Sequence, residues 1–293
     1  MSAPLISVVV PTCHRDDLLA RCLERLAPGR QTLSTDFYEV IVTDDGVSGT
    51  AEAMLASRFP WATWNRGPRR GPAANRNSGA RPVCGEWIAF TDDDCLPGEG
   101  WLSAFKLAMG SGMQVYEGKT TCSAGFDSPL VEAPVNLNGG NLWSCNMMIG
   151  KDLFQRLGGF DERFPLPWAE DIDLRERIKH AGHKTLFVPD AVVDHPPRRR
   201  RWGKRSAALW ECRVLLWYKQ GNNIPAQKWL PGHAFKVRLH QIIKAPLGKD
   251  SVLALGGMIE EYWWILHWVK GWDQKYNALA KTGGTALGRE SCQ

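Results

Sequence analysis

Leu5-Ile6-Ser7-Val8-Val9-Val10-Pro11-Thr12, Tyr38-Glu39-Val40-Ile41-Val42-Thr43-Asp44-Asp45 and Glu86-Trp87-Ile88-Ala89-Phe90-Thr91-Asp92-Asp93-Asp94 share one pattern: a short apolar run that ends in polar groups. Runs of this length predict strands buried on both faces, the first stopped by Pro11. Leu18, Leu19, Cys22, Leu23 and Leu26 fall at helical spacing and predict a helix over 16–26, capped by Asp16. Further helices are expected at 51–59 and at 72–80, the second with Pro72 in its first turn. Repeated strand–helix–strand units predict an α/β fold with a doubly wound, mostly parallel sheet. Ligands of such sheets bind beyond the carboxyl ends of the strands. Pro11-Thr12, Asp44-Asp45 and Asp92-Asp93-Asp94 all fall there.

The chain of 293 residues is 44% hydrophobic and 23% charged, which excludes a disordered or collagen-like polymer and allows a packed core. No stretch of about 18 residues is free of charge, so no spanning helix is expected. The opening residues lack the marks of a secretory signal, and the eight cysteines form no C-x-x-C pair. A reducing cytoplasm and no zinc site are the expectation. Charge divides the chain. Residues 1–196 carry 19 Lys and Arg against 25 Asp and Glu, whereas 197–293 carry 17 against 6 and hold eight of the 14 tryptophans. An acidic, site-bearing body and a basic, Trp-rich helical tail follow, with the boundary near Pro196-Pro197. The body ends with a helix at 171–181 stopped by Gly182. Tail helices are expected near 204–220 and 257–278, with a Pro/Gly-broken stretch between them.

Neither G-x-x-x-x-G-K-[ST] nor a G-x-G-x-x-G after the first strand is present, so a bound nucleotide needs its phosphates neutralised differently. Asp92-Asp93-Asp94 supplies hard oxygens suited to Mg²⁺ or Mn²⁺, which can bridge a diphosphate. The plainer alternative is an acidic turn before a helix that follows Pro97. Asp45 can accept a hydrogen bond from a base imide, or serve the Asp-Gly turn. Arg15 and Arg76 are candidate counter-charges for a diphosphate. Glu170-Asp171 opens a helix, where a carboxylate either offsets the dipole or takes a proton from a substrate.

The order of Ser7–Thr12, Val40–Gly46, Ala74-Asn75-Arg76-Asn77-Ser78-Gly79, Phe90–Cys95, Asn146-Met147-Met148, Gly158–Phe164, Glu170–Leu174 and Val188–His195 resembles the family 2 glycosyltransferases of GT-A fold. The likeness covers about 1–196. It departs at His14-Arg15, where the family often has Asn-Arg, and at Gly46-Val47-Ser48-Gly49, which replaces Gly-Ser-x-Asp. It implies a GT-A catalytic domain at 1–196 with a nucleotide-binding half (1–111) and an acceptor half (112–196), followed by a helical C-terminal extension at 197–293. It also implies transfer of a sugar from a nucleotide-diphosphate donor, with a UDP-sugar favoured, to an acceptor hydroxyl with inversion. On that resemblance Asp45 reads the base, and Pro11 and Thr12 line its pocket. Asp92 and Asp93 belong to the substrate site with Arg15, Arg76 and Glu170. Asp94 holds the Mg²⁺ or Mn²⁺, and Asp171 is the base. His195 is a further metal ligand, an acceptor contact or a structural histidine.

Bacterial surface-glycan synthesis, with a glycan or lipid-linked acceptor, is the expected setting by analogy. Arg198–Arg201, Lys204, Arg205 and the tryptophans of 257–278 suit peripheral contact with the inner face of a membrane, or plain helical packing. Two rival readings differ in class. A nucleotidyltransferase making sugar nucleotides would open with a Gly-rich, arginine-containing loop where Pro11-Thr12-Cys13-His14-Arg15 stands. A non-catalytic nucleotide- or nucleic-acid-binding module would have no need of Asp45, Asp94 and Asp171 together, and no nucleic-acid module is recognisable.

Overall fold

The computed structural model describes residues 5–47, 50–246 and 248–281; Ser48, Gly49 and the end of the tail, 282–293, lie outside the described residues. In chain order the elements are β1 (Ile6–Thr12), α1 (Asp16–Leu26), β2 (Tyr38–Asp44), α2 (Thr50–Arg58), β3 (Thr63–Arg66), α3 (Pro72–Ala80), β4 (Trp87–Phe90), β5 (Leu96–Pro97), α4 (Trp101–Ala108), β6 (Val115–Thr121), β7 (Val131–Glu132) and β8 (Met147–Gly150). Then follow α5 (Lys151–Arg156), α6 (Glu170–His180), β9 (Thr185–Asp194), β10 (Arg198–Arg199), α7 (Lys204–Lys219), α8 (Leu230–Ile243) and α9 (Lys249–Lys281). They divide into two compact units. One comprises 1–124, 133–163 and 170–196, the other 125–132, 164–169 and 197–293.

The first unit is an eight-stranded α/β sheet of order β3-β2-β1-β4-β8-β6-β9-β5. Pairing is parallel along β3-β2-β1-β4 and between β6 and β9, and antiparallel where β8 and β5 join. The apolar runs are buried on both faces, as their lack of alternation requires. Val8, Val10, Val40 and Val42 pack with Leu19, Leu23 and Leu26 of α1, and with Trp101 and Phe105 of α4. Val9, Ile41, Ile88 and Phe90 face the opposite layer, with Ala73 of α3, Phe154 of α5 and Leu174 and Ile178 of α6.

Two sequence expectations need correction here. β1 does not stop at Pro11 but pairs with β2 through Pro11↔Thr43 and Thr12↔Asp44. Val9 and Pro11 point the same way along the strand, toward β4, and β4 has ended at Phe90. The donor that proline lacks would have had no ladder partner on that side. Asp16 is not the cap of α1. Arg15 occupies that position without a side-chain cap bond, and Asp16 and Asp17 supply first-turn negative charge instead.

The second unit is helical. Glu261 of α9 is buried and accepts hydrogen bonds from Trp210 Nε1 (2.6 Å) and Arg238 Nε (2.9 Å). Asp273 accepts from Tyr218 Oη and the Ala226 amide, both at 2.6 Å, and from Gln227 N at 3.0 Å. The stretch expected to be broken by Pro and Gly contains α8, because Pro231 sits in its first turn, where a missing N–H costs nothing. The Trp-rich stripe of α9 is split. Ala254, Met258, Glu261, Ile265, Val269, Trp272 and Tyr276 are buried, whereas Ile259, Trp263 and Leu266 are exposed. The arginine run is partly engaged: Arg198 and Arg200 reach Glu132 at 3.7 and 3.1 Å, and Arg198-Arg199 pairs with Val131-Glu132 as a two-residue ladder.

Candidate active site

β1, β2 and β4 run parallel, so Thr12, Asp44-Asp45 and the aspartate triplet emerge from one edge of the sheet. β1 has β2 on one side and β4 on the other. Strand order reverses around β1, and open α/β sheets leave their ligand crevice at such a reversal. A tight turn, Cys95 N–H to Asp92 O at 3.1 Å, then sends the three aspartates in different directions.

Asp92 meets Arg76 at 2.6 Å. Asp93 turns inward. It is fully buried and accepts from Thr12 Oγ1 (2.7 Å) and Arg15 Nε (3.0 Å), and a second guanidinium nitrogen lies 2.5 Å away. Burial pushes its pKa up to about 7 despite the opposing pull of Arg15. Asp94 takes another Arg15 nitrogen at 3.0 Å, and its Oδ1 lies 3.3 Å from His195 Nε2. Arg15 is therefore engaged with two of the three aspartates.

His195 is oriented by its other ring nitrogen, since Nδ1 lies 2.8 Å from the Pro196 carbonyl oxygen. A carbonyl only accepts, so Nδ1 carries hydrogen and the ring turns Nε2 toward Asp94. Ligand atoms of Asp94, Cys95 and His195 lie within 4.8 Å of one another. An imidazole nitrogen beside a carboxylate oxygen is a donor set that suits a divalent cation. The residues present fit Mg²⁺ or Mn²⁺.

Across the crevice Arg76 is buried in α3 and forks between Asp92 and Glu170, the latter at 3.0 Å. Glu170 is buried at the start of α6, and its Oε2 has no hydrogen-bond partner among the described residues. Burial pushes its pKa up to about 7, with Arg76 pulling the other way. Asp171 is raised by burial too, opposed by its bond from Ile172 N–H (2.8 Å), by Arg76 and by the Ser144 backbone.

Asp45 stands apart from this chain of contacts. Its Oδ1 accepts Arg69 N–H at 2.8 Å and its Oδ2 accepts Gly71 N–H at 3.3 Å, so it shapes the loop between β3 and α3. Burial raises its pKa. The turn role falls instead to Asp44, whose Oδ1 accepts Gly46 N–H at 2.7 Å. Gly67 passes so close that a Cβ there would lie 2.3 Å from Asp45 Oδ1 and 2.4 Å from Asn75 Oδ1. Pro11 lies in β1 opposite Thr43, next to Thr12.

Residues 7–116 match the family model for glycosyl transferase family 2. Glycosyltransferase AglE of Haloferax volcanii is 26% identical over 71% of this chain and 74% of its own length. Validoxylamine A glucosyltransferase of Streptomyces hygroscopicus subsp. limoneus is 30% identical over 71% of this chain, which spans 55% of that relative. Among solved structures, the mannosyltransferase PcManGT of Pyrobaculum calidifontis, in complex with GDP-Man and Mn²⁺, matches with a TM-score of 0.52 at 20% identity. That match covers 99% of this chain and 77% of the other. Residues 7–116 belong to glycosyl transferase family 2. The sheet is the GT-A fold, and the matched segment contains β1 from Ser7 onward and β2 to β4, with all three aspartates.

Several residues of this family 2 domain escaped the sequence reading. Asn75 stitches two strand ends together: Nδ2 donates to the Thr12 and Thr43 carbonyls (3.2 and 3.0 Å), and Oδ1 accepts from Thr43 Oγ1 at 2.8 Å. Asn77 does the same for the Gly158–Phe164 segment, exchanging two bonds with the Phe160 backbone. Glu117 in β6 is buried and gathers the Gly-rich loop, accepting from Asn136 Nδ2 and the Gly140 and Asn141 amides, each at 2.7 Å, and from the Leu142 amide. Glu117 directly follows Val115-Tyr116 in the sequence of β6, and that place in a strand was the available signal, since buried carboxylates require partners.

Proposed function

We propose that the first unit transfers a sugar from a nucleotide-diphosphate donor to an acceptor hydroxyl, with inversion and with a bound Mg²⁺ or Mn²⁺. The observation that carries this reading is the fork of Arg76, which ties the donor-side Asp92 to Glu170, beside Asp171. Asp94 and His195 would hold the cation, which when bound supplies positive charge to the departing nucleoside diphosphate. Asp171 would take the proton of the attacking hydroxyl. Arg76 fixes the separation of the two acidic groups, and Asp45, Pro11 and Thr12 form the base-binding rim. Asp93, buried beneath, anchors Arg15, whose half-exposed guanidinium also holds Asp94. The complex of PcManGT with GDP-Man and Mn²⁺ supports the nucleotide-sugar and metal parts.

A UDP-sugar as donor, a glycan or lipid-linked acceptor, a role in surface-glycan synthesis and peripheral membrane contact through 197–293 extend the proposal. No helix among the described residues is long and apolar enough to cross a membrane. Nucleotide sugars screened for Mn²⁺-dependent binding should identify the donor. Asp171→Asn should then bind that donor normally while losing turnover by about 10²–10⁴-fold, as removal of a positioned base does. Loss of donor affinity with a normal rate at saturation would make Asp171 a donor ligand.

A further inference from the structure

The second unit contains an open cavity of about 390 Å³ beside the turn between α8 and α9. Among the described residues its wall includes Phe126, Pro129 and Pro246, with Arg200 and Lys244 as lining cations and Asp127 as lining acid. The size suits a small polar headgroup. Arg200 is held in place by Pro129 O (3.1 Å to Nε) and by Glu132 (3.1 Å to Nη1). Burial and the charge of Arg238 work against its positive form, and Glu132 and Glu261 support it. An anion beside it would relieve that deficit. Lys244 is exposed at the end of α8.

The surroundings are apolar in an unusual way. Ile243 (66% exposed), Val252 (70%) and Leu253 (64%) flank this turn, and Phe126 of the cavity wall is itself exposed. Asp250 connects the two features, since it accepts the Ser128 hydroxyl of the cavity wall at 2.5 Å. From Val252 an exposed stripe continues through Leu255, Ile259, Trp263 and Leu266, spaced three or four residues apart along about four turns of α9. Lys236, His240 and Lys244 line the exposed side of α8 at intervals of four. Apolar side chains with a cationic border, on a segment carrying 17 Lys and Arg against 6 Asp and Glu, complement an anionic lipid surface better than a protein face.

We propose that the cavity between Arg200 and Lys244 is a binding site for the phosphate of an anionic membrane lipid, with Ile243, Val252 and Leu253 entering the headgroup layer around it. This rests on the peripheral-contact reading above and moves the contact from the arginine run to the α8–α9 turn. The ligand is a phosphate ester, and the source is a lipid headgroup.

The full chain should be sedimented with vesicles of phosphatidylcholine alone and of phosphatidylcholine with phosphatidylglycerol. Binding is expected only to the anionic vesicles. Lys244→Glu should weaken it about tenfold or more, since each basic group near such a surface contributes about 1 kcal/mol and the change reverses one charge. Val252→Ser with Leu253→Ser should weaken it at low salt also, and unchanged thermal unfolding would exclude misfolding as the cause. If the unmodified chain binds and both variants bind equally well, the headgroup site is refuted while peripheral contact survives. If the unmodified chain ignores anionic vesicles, both readings fall. Inorganic phosphate that raises the melting temperature through Lys244, without vesicle binding, would assign the cavity to a soluble anion and overturn the lipid source. A dimer broken by the double variant, with vesicle binding intact, would give the face to a second copy.

Discussion

The fold raises the pKa of Glu170, and Glu170→Gln removes that titration. The unfolded side chain titrates near its ordinary value of 4.5, whereas burial pushes the folded one up to about 7. Below pH 4.5 the proton is present in both states. Between the two values the folded chain keeps a proton that the unfolded chain has released, and above 7 it must bury the charge. The stability contributed by this raised pKa is thus complete at low pH and lost as pH rises through about 7. A separation of about 2.5 units at 1.36 kcal/mol per unit sets the full loss at about 3 kcal/mol, most of it between pH 5 and 8. Glutamine cannot ionise, so urea unfolding of both proteins across that range should show the gap moving in favour of the variant by 2–3 kcal/mol, on the order of the linkage figure. Asp93, also raised to about 7, contributes the same slope to both proteins and cancels. Parallel stability curves would refute the reasoning, showing that Arg76 holds Glu170 ionised throughout.

Asp94→Ala should abolish Mn²⁺ binding by calorimetry and nearly abolish transfer, while circular dichroism stays that of the parent; retained metal affinity would move the cation elsewhere. Asn75→Ala removes three buried hydrogen bonds between β1, β2 and α3 and should cost about 2–4 kcal/mol in denaturant unfolding, with a loss under 1 kcal/mol contradicting the stitch.

The sequence was most legible where one cause acts alone. α1 and α3 occupy 16–26 and 72–80 as expected, because apolar spacing in the first and a first-turn proline in the second decide them locally. β1 ran past Pro11 because the deciding fact, that β4 ends at Phe90, is a property of another segment. α8 was hidden for a related reason, since Pro231 reads as a breaker until the helix start is known to lie at Leu230. In α9, composition announced an amphipathic helix but could not divide its tryptophans. That division depends on which face meets Trp210 and Arg238, and Glu261, a charged residue, marks the buried side.

The same distinction separates the candidate site into what sequence names and what only geometry assigns. Three consecutive aspartates are conspicuous in a sequence but chemically alike. Their roles diverge because one turn sends Asp92 to Arg76, Asp93 under Thr12, and Asp94 toward His195. Asp93 is the least available of the three, and it serves its neighbours: it anchors the half-exposed Arg15, and Arg15 in turn braces Asp94. Arg76 does the corresponding work on the other side, where its two partners lie 16 and 94 residues away in sequence. A reading by spacing cannot join such positions. The sheet joins them, because parallel strands deliver their ends to one edge and α3 crosses behind that edge with Asn75, Arg76 and Asn77 buried together. Three consecutive polar side chains buried in one helix, each bonded to a different segment, are the feature that turns a strand-end cluster into a fixed constellation.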